Sequence, residues 1–170
     1  MDIIEYRKRV QQPLRQATLC FLVKDNEVLL AMKKRGHGQG RWNGVGGKLN
    51  PGEKTRQAAI RETQEEIEVV TKDIKRRAIL DFYHLRNPAY DQQVTVYLAR
   101  NWIGEPRETE EMRPRWFKKD NLPLESMWPD DKLWLPQVLA GLKLRAEFLF
   151  KEDNTLLDSN IVKIGKLINI

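Results

Sequence analysis

The stretch GGKLNPGEKTRQAAIRETQEEIE, residues 46–68, joins a glycine-containing loop to a segment of helical composition. Residues 50–52, Asn-Pro-Gly, are a strong turn signal. Residues 54–68 are rich in Ala, Gln, Glu and Arg, which predicts an α-helix. At about 100° per residue, three acids share one arc of about 100° on this helix: Glu62, Glu65 and Glu66. The stretch therefore predicts a loop that leads into a helix with one acidic face.

The acidic face has two interpretations. Like charges three and four residues apart destabilise an isolated helix by roughly 0.2–0.5 kcal/mol per pair, so solvent or a cation must compensate. A solvated face, partly neutralised by Arg61 and Lys54, is one interpretation. A hard divalent ion is the other, because Mg²⁺ takes oxygen ligands and keeps waters or substrate phosphates in its shell. Gly46 and Gly47 permit close backbone approach and favour a phosphate site beside the acids.

The rest of the chain predicts further strands and one more helix. Strands are expected at residues 18–23, 28–32, 78–83, 93–98 and 146–150. A helix is expected to start within residues 127–131 and to stop at Gly141. Pro136 lies well inside that helix, so a kink or an early break is expected there. Residues from Asp158 onward alternate too weakly to be assigned.

Composition limits the class of protein. The chain has 170 residues, which predicts one domain, and 41% hydrophobic with 32% charged content is typical of a soluble globular protein. The net charge of +6 suits nucleic acid, an anionic membrane or free nucleotides, or it serves solubility alone. No apolar run approaches the roughly 20 residues that span a bilayer, and the first residues do not form a secretory signal. Cys20 is the only cysteine and lies in an apolar run, which indicates a buried thiol and a reducing, cytoplasmic setting.

The opening stretch also carries a family motif. Gly47, five residues, Glu53, seven residues and then Arg-Glu-Thr-Gln-Glu-Glu at residues 61–66 resemble the signature of the Nudix hydrolases. The chain departs from the signature at Glu68, where the family has a glycine that ends the helix in a left-handed conformation. A residue with a Cβ costs roughly 1 kcal/mol there, so the departure concerns the helix end rather than the acids.

The resemblance continues outside the signature. Residues 32–36, 40–44, 111–114 and 127–131 are similar to the oxidised-purine nucleoside triphosphatases of that family, and the similarity covers about residues 18–160. It implies an α/β fold, a Nudix-type α/β/α sandwich with a mixed β-sheet. We expect a single domain over residues 1–170, with its core at about 16–150 and an extension at each end.

The activity implied by the resemblance is hydrolysis of 8-oxo-dGTP and 2-hydroxy-dATP to a monophosphate and pyrophosphate, which removes oxidised purines from the nucleotide pool. Mg²⁺ is the expected cofactor, with Mn²⁺ as a possible substitute. The expected partner is a purine nucleoside triphosphate. We expect a monomer that forms no stable nucleic-acid complex and does not associate with membranes.

The resemblance also assigns roles to residues at matching positions. Those expected to bind or serve the metal are Gly46, Glu62, Glu65, Glu66 and Glu111. Those expected to line the nucleotide pocket are Thr18, Lys33, Asn43, Phe82, Trp128, Asp130 and Asp131. The expected catalytic set is the same four glutamates with Arg61, which orients the acids beside a supporting Glu53. Either Glu66 or Glu111 is expected to assist the attacking water.

The pocket residues have suitable chemistry, and each also has a plainer interpretation. Asn43 has the donor and the acceptor that a purine edge requires, or is a turn residue. Trp128 offers a ring face to a base, or is a core residue. Asp130 and Asp131 are helix caps, or form a coupled pair that shares one proton. Such a pair can read either oxidised purine by moving that proton.

Two positions near the expected base differ from the family. His37 replaces a phenylalanine and Gln92 a methionine, so the substrate preference is open. His37 also lies in a basic loop, where a solvent-exposed histidine is expected.

Two alternative functions remain. One is a Nudix hydrolase for a dinucleoside polyphosphate, a capped RNA or a nucleotide sugar, which Asn43 and residues 127–131 disfavour. The other is a non-catalytic nucleic-acid-binding module that uses the +6 charge. The intact acids disfavour this module because, without metal, they repel a phosphate backbone.

Overall fold

A computed structural model describes residues 1–165. The helices are α1 (Ile3–Arg7), α2 (Thr55–Ile67) and α3 (Asp131–Leu139). The strands are β1 (Arg15–Lys24), β2 (Glu27–Lys33), β3 (Trp42–Asn43), β4 (Val70–Lys72), β5 (Lys75–His84), β6 (Gln92–Ala99), β7 (Asn101–Ile103), β8 (Met112–Lys118), β9 (Leu144–Phe150) and β10 (Leu156–Lys163). Short 3₁₀ helices lie at Pro88–Tyr90 and Leu124–Ser126.

The strands within residues 1–165 form one eight-stranded sheet and a separate pair, β4 with β7. The order in the large sheet is β10-β9-β5-β6-β1-β2-β3, and β8 pairs with β2 outside this path. β1 runs parallel to β6 and β5 parallel to β9, whereas β5 and β6 are antiparallel. The sheet is therefore mixed, as predicted.

Helices cover both faces of the large sheet. Alternation along β1 sends Phe21 to one face, where the core includes Trp134 of α3. The neighbouring Cys20 faces the other side, where the core includes Ile67 of α2. Tyr6 of α1 is buried beside β5 on the same side as α2. The result is the expected α/β/α sandwich.

The expected early break at Pro136 is wrong. α3 continues past this residue to Leu139. Pro136 is exposed, while Trp134, Leu135 and Val138 are fully buried. Burial of these neighbours stabilises the last turn despite the missing backbone hydrogen bond, since tertiary packing provides most helical stability in proteins.

The structure also contains strands that the sequence did not predict. β10, Leu156–Lys163, includes residues that the sequence left unassigned, and it pairs antiparallel with β9. β4 and β7 have only three residues each, too few for a pattern. Residues 166–170, part of the expected domain, lie outside the described residues.

The end of α2 is left-handed even though Glu68 stands where the family signature has a glycine. Glu68 follows the helix with φ 61° and ψ 32°, in the left-handed region, and its N–H donates to the carbonyl of Gln64. A residue with a Cβ thus occupies a conformation that favours glycine. The acids of α2 lie within the regular helix before this strained residue.

The structure also bears on two expectations about the environment. Cys20 is buried, and burial raises the pKa of its thiol to about 12, which agrees with a structural thiol. Over residues 1–165, no helix has the length and apolar character needed to cross a membrane.

Candidate active site

The loop before α2 lies against β1 because two of its glycines have no side chain. A Cβ on Gly46 would overlap the carbonyl oxygen of Thr18. A Cβ on Gly47 would stand 2.7 Å from Cδ of Glu62. The loop backbone therefore fits between β1 and the carboxylates of α2, as a phosphate site requires.

Arg61 connects the signature acids. Its Nε and Nη2 each donate to Glu53 at 2.8 Å, which makes a bidentate pair. Its Nη1 donates to Glu62 at 2.8 Å and to Glu65 at 3.1 Å. The hydrogen bonds from Arg61, followed by that from the backbone of Asn50, lower the pKa of Glu53 to about 2. The structure thus brings Arg61 into contact with three acids and gives Glu53 a supporting position.

Glu66 lies apart from this arginine and is buried. Only 7% of the residue is exposed, and its carboxylate accepts a hydrogen bond from the Gly46 N–H at 3.3 Å. Burial, followed by the charge of Glu62, raises the pKa of Glu66 to about 8. Burial also raises the pKa of Glu62, although Arg61 opposes this. The charged form of Glu66 is unfavourable in the protein alone, and a nearby cation would stabilise it.

Glu111 lies close enough for its charge to contribute to the raised pKa values of Glu62 and Glu66, but its own ion pair is with an arginine. Its side chain is half-exposed and pairs with Arg35 at 3.1 Å. Glu65 is similarly exposed and turned towards Arg61. In the described part of the chain, no three His, Cys, Asp or Glu side chains are gathered closely enough to hold a metal ion.

The donor set nevertheless fits a hard divalent cation. It consists of carboxylates beside a glycine backbone, and oxygen ligands of this kind are those such cations prefer. The buried Glu66 supplies a second observation, because burial disfavours its charge more strongly than the charge of Lys33 favours it. A cation would have to compete with Arg61 and Arg35 for the remaining acids.

A cavity of about 340 Å³ lies beside this cluster. All of the predicted pocket residues line it: Thr18, Lys33, Asn43, Phe82, Trp128, Asp130 and Asp131. Gly46 and Gly47 line the same cavity. The residues that sequence reasoning assigned to a base and to a phosphate site therefore share one space.

The acid pair of the cavity is buried. Asp130 and Asp131 are each 2% exposed. Asp130 accepts from the indole N–H of Trp134 at 2.9 Å, and Asp131 accepts from the backbone N–H of Trp128 at 3.0 Å. Asp130 occupies the N-cap position of α3 but makes no capping hydrogen bond with its side chain. Helix capping therefore does not account for this aspartate.

Burial raises the pKa values of both aspartates, and the charge of Asp130 further raises that of Asp131. Burial and mutual repulsion favour a state in which one of the two carboxyl groups is protonated. The pair can then donate one hydrogen bond and accept another.

Aromatic and amide groups surround the acid pair. Trp128 is half-buried, with the Arg41 guanidinium 4.4 Å from its ring centroid. Asn43 accepts from the Gly44 N–H at 2.7 Å through its side-chain oxygen, which orients the side-chain amide. Trp128 is therefore not a core residue, and both side chains border the cavity.

Sequence reasoning missed one wall of the cavity. Tyr90, from the loop between β5 and β6, lines the cavity and stacks on His37, with centroids 5.4 Å apart and an interplanar angle of 9°. His37 is exposed, as expected, yet it also lines the cavity, as does Gln92. An aromatic residue two positions after Asn-Pro was the available signal for Tyr90.

Comparison with known proteins identifies the family. Residues 13–138 match the NUDIX domain. This chain belongs to the Nudix family. It is 37% identical over 147 residues to an oxidized purine nucleoside triphosphate hydrolase of Mus musculus, covering 86% of this chain and 94% of that protein. A protein of the same name from Danio rerio is 37% identical over 150 residues, covering 88% of this chain and 96% of the relative.

A solved structure supports the same fold. The crystal structure of a mutator MutT protein from Bacillus halodurans superposes with a TM-score of 0.77 at 27% identity. The superposition covers 87% of this chain and 97% of the Bacillus halodurans chain. The expected Nudix-type sandwich is therefore confirmed.

Proposed function

We propose that this chain hydrolyses purine nucleoside triphosphates with oxidised bases, 8-oxo-dGTP and 2-hydroxy-dATP, to the monophosphate and pyrophosphate. The observation that carries the proposal is the single cavity in which a buried acid pair, Asp130 and Asp131, is joined to the glycine loop beside the α2 acids. The purine base fits the end of the cavity beside the acid pair, and the triphosphate fits the end beside the glycine loop. The mouse and zebrafish relatives, both named oxidized purine nucleoside triphosphate hydrolase, support this substrate class.

Base recognition in this proposal belongs to the buried pair. One proton shared by Asp130 and Asp131 supplies a donor and an acceptor side by side. Moving the proton exchanges these roles, so that the two oxidised purines can both be bound. Asn43 adds a further polar contact, and Trp128 offers part of its ring face to the base.

Phosphate binding belongs to the other end of the cavity. Arg15, Lys33 and Lys48 line the cavity and would supply positive charge to a triphosphate bound there. Glu62, Glu65, Glu66 and Glu111, with the backbone of Gly46, are the residues that would hold Mg²⁺, or Mn²⁺ in its place. When bound, the metal offsets the charge of the phosphates and polarises a phosphate oxygen.

The protein groups then position the reaction. Arg61 fixes Glu62 and Glu65 through hydrogen bonds. Either Glu66 or Glu111 accepts the proton of the water that attacks phosphorus, while the bond between phosphorus and the α–β bridging oxygen breaks. The products are the monophosphate and pyrophosphate, and this hydrolysis removes oxidised purines from the nucleotide pool.

The same proposal includes the state of the protein. We propose a cytoplasmic monomer with a single catalytic domain, without a stable nucleic-acid complex. Light scattering after gel filtration, with and without single-stranded RNA, tests this part: a mass of about one chain in both runs is expected.

A nucleotide panel tests the activity. Purified protein with Mg²⁺ is given 8-oxo-dGTP, 2-hydroxy-dATP, dGTP, dATP, ADP-ribose and a dinucleoside polyphosphate, and products are separated by anion exchange. We expect pyrophosphate and a monophosphate, fastest from the oxidised purines. Faster cleavage of ADP-ribose or of the dinucleoside polyphosphate would assign the chain to another Nudix substrate class. Salt-sensitive RNA binding without turnover would favour the binding module.

A further inference from the structure

The loop between β5 and β6 supplies one wall of the base cavity. His84 and Tyr90 from its two ends both line the cavity. The Tyr90 ring stacks on His37 at 5.4 Å, and His37 lies 5.1 Å from the ring of Trp128. These three rings form a continuous aromatic wall, and the position of the loop decides where its Tyr90 ring stands.

A buried carboxylate fixes both ends of this loop. Asp91 is 7% exposed, and one of its oxygens accepts from the His84 N–H at 2.7 Å. Its other oxygen is 3.0 Å from the hydroxyl of Tyr6. The same hydroxyl is 2.9 Å from the carbonyl oxygen of His84. The one proton of the Tyr6 hydroxyl is therefore within hydrogen-bond reach of two acceptors, this carbonyl and the Asp91 carboxylate. Tyr6 therefore contacts the loop at its start and at its end.

The hydroxyl of Tyr6 remains a donor. The residue is 5% exposed, and burial, followed by the charge of Asp91, raises the pKa of Tyr6 above its ordinary value. It lies 78 positions from His84 in the chain, so this contact is a property of the fold rather than of the loop.

The helix that carries Tyr6 is itself anchored to the sheet. The Ile3 N–H donates to Asp158 of β10 at 3.0 Å, and Arg7 pairs with Glu147 of β9 at 3.0 Å. Ile3 is buried with Tyr6 in a small apolar cluster. α1 thus gives the Tyr6 hydroxyl a fixed place relative to the loop.

We infer that α1 is part of the base-binding apparatus, with Tyr6 as a positioning residue that acts through Asp91 to hold Tyr90 against His37. This inference rests on the proposed function. Loss of the Tyr6 hydroxyl removes a hydrogen bond that fixes the loop but leaves the carboxylates of α2 unchanged. Binding of the base is therefore affected, and the hydrolytic step is not.

Kinetics of Tyr6→Phe test the inference. The expected result is a rise in KM for 8-oxo-dGTP of about three- to tenfold, the range of one net hydrogen bond, with kcat within about twofold of the wild type. Tyr83→Phe is the matched control, since the ring of Tyr83 lies 5.5 Å from that of Tyr6 while its hydroxyl is 3.4 Å from Glu147 of β9. In a Tyr90→Ala background, Tyr6→Phe is expected to change KM by less than about twofold.

Hydrogen exchange of the substrate-free protein gives a readout that does not depend on turnover. Faster exchange at residues 84–91 is expected in Tyr6→Phe and not in Tyr83→Phe. If Tyr6→Phe does not fold, as judged by circular dichroism, Asp91→Ala, which removes both acceptors, takes its place with the same expected results.

The outcomes separate the two proposals. Unchanged KM in an active Tyr6→Phe protein, or an equal KM rise in the Tyr90→Ala background, overturns the positioning role. If the wild type does not hydrolyse 8-oxo-dGTP, the proposed function fails. Exchange at residues 84–91 then decides whether Tyr6 holds the loop.

Discussion

Glu66 should make the stability of the metal-free protein depend on pH. Burial raises its pKa from 4.5 to about 8 in the folded state. Above about pH 4.5 the unfolded chain has released a proton that the folded protein retains, so stability falls as pH rises between about 4.5 and 8. pH 7 lies 2.5 units above the ordinary pKa of 4.5. At 1.36 kcal/mol per unit, the free energy of unfolding is therefore lower at pH 7 than at low pH by about 3 kcal/mol.

Urea denaturation in EDTA measures this effect in the wild type and in Glu66→Gln. The amide keeps the shape of the protonated acid and does not titrate. We expect the variant to be more stable than the wild type by up to about 3 kcal/mol at pH 7, and by less than about 1 kcal/mol at pH 5. Mg²⁺ is expected to stabilise the wild type at pH 7 and to leave Glu66→Gln nearly unchanged.

Glu65→Gln is the control, because the Glu65 side chain is 58% exposed. It is expected to shift stability by less than about 1 kcal/mol at both pH values. Two results would refute the reasoning. One is a Glu66→Gln protein that is no more stable than the wild type at pH 7. The other is equal stabilisation of Glu66→Gln and the wild type by Mg²⁺.

Three further predictions follow from particular residues. Glu68→Gly should raise the free energy of unfolding by about 1 kcal/mol in urea, while Glu68→Ala, which keeps the Cβ, should not; equal effects would contradict the left-handed strain. Arg61→Lys, which loses the bidentate fork, should lower pyrophosphate release by about 10- to 100-fold, and full activity would remove its orienting role. In the wild type, KM for 8-oxo-dGTP should rise on the alkaline side as Asp130 and Asp131 lose their shared proton. Asp131→Asn should flatten that rise. The same pH profile of KM in the variant and the wild type would exclude the pair from base recognition.

Local features of the fold could be predicted from the sequence. The composition of residues 54–68 and the turn before them predict α2 because helix propensity and turn chemistry act within a few residues. The sequence located the departure from the Nudix signature at Glu68 but did not predict that the helix would keep a left-handed end there. Pro136 shows the limit, since packing of distant core residues outweighs its local preference.

The site divides in the same way. The spacing of Glu62, Glu65 and Glu66 on one helix face is local, whereas the meeting of residue 18 with residues 130 and 131 was expected only from family resemblance. Tyr90 was not predicted, because its stacking on His37 joins two residues that are distant in the sequence. The ion pair of Glu111 with Arg35 is likewise a product of tertiary structure.

The ratio of kcat/KM for 8-oxo-dGTP to that for dGTP tests the central claim most directly. It is measured by pyrophosphate release from the purified protein at neutral pH with Mg²⁺. The account predicts release of pyrophosphate from both nucleotides and a ratio of at least about tenfold in favour of 8-oxo-dGTP, the selectivity that about 1.4 kcal/mol of base recognition provides. A ratio near one, or no pyrophosphate release from 8-oxo-dGTP, would contradict it.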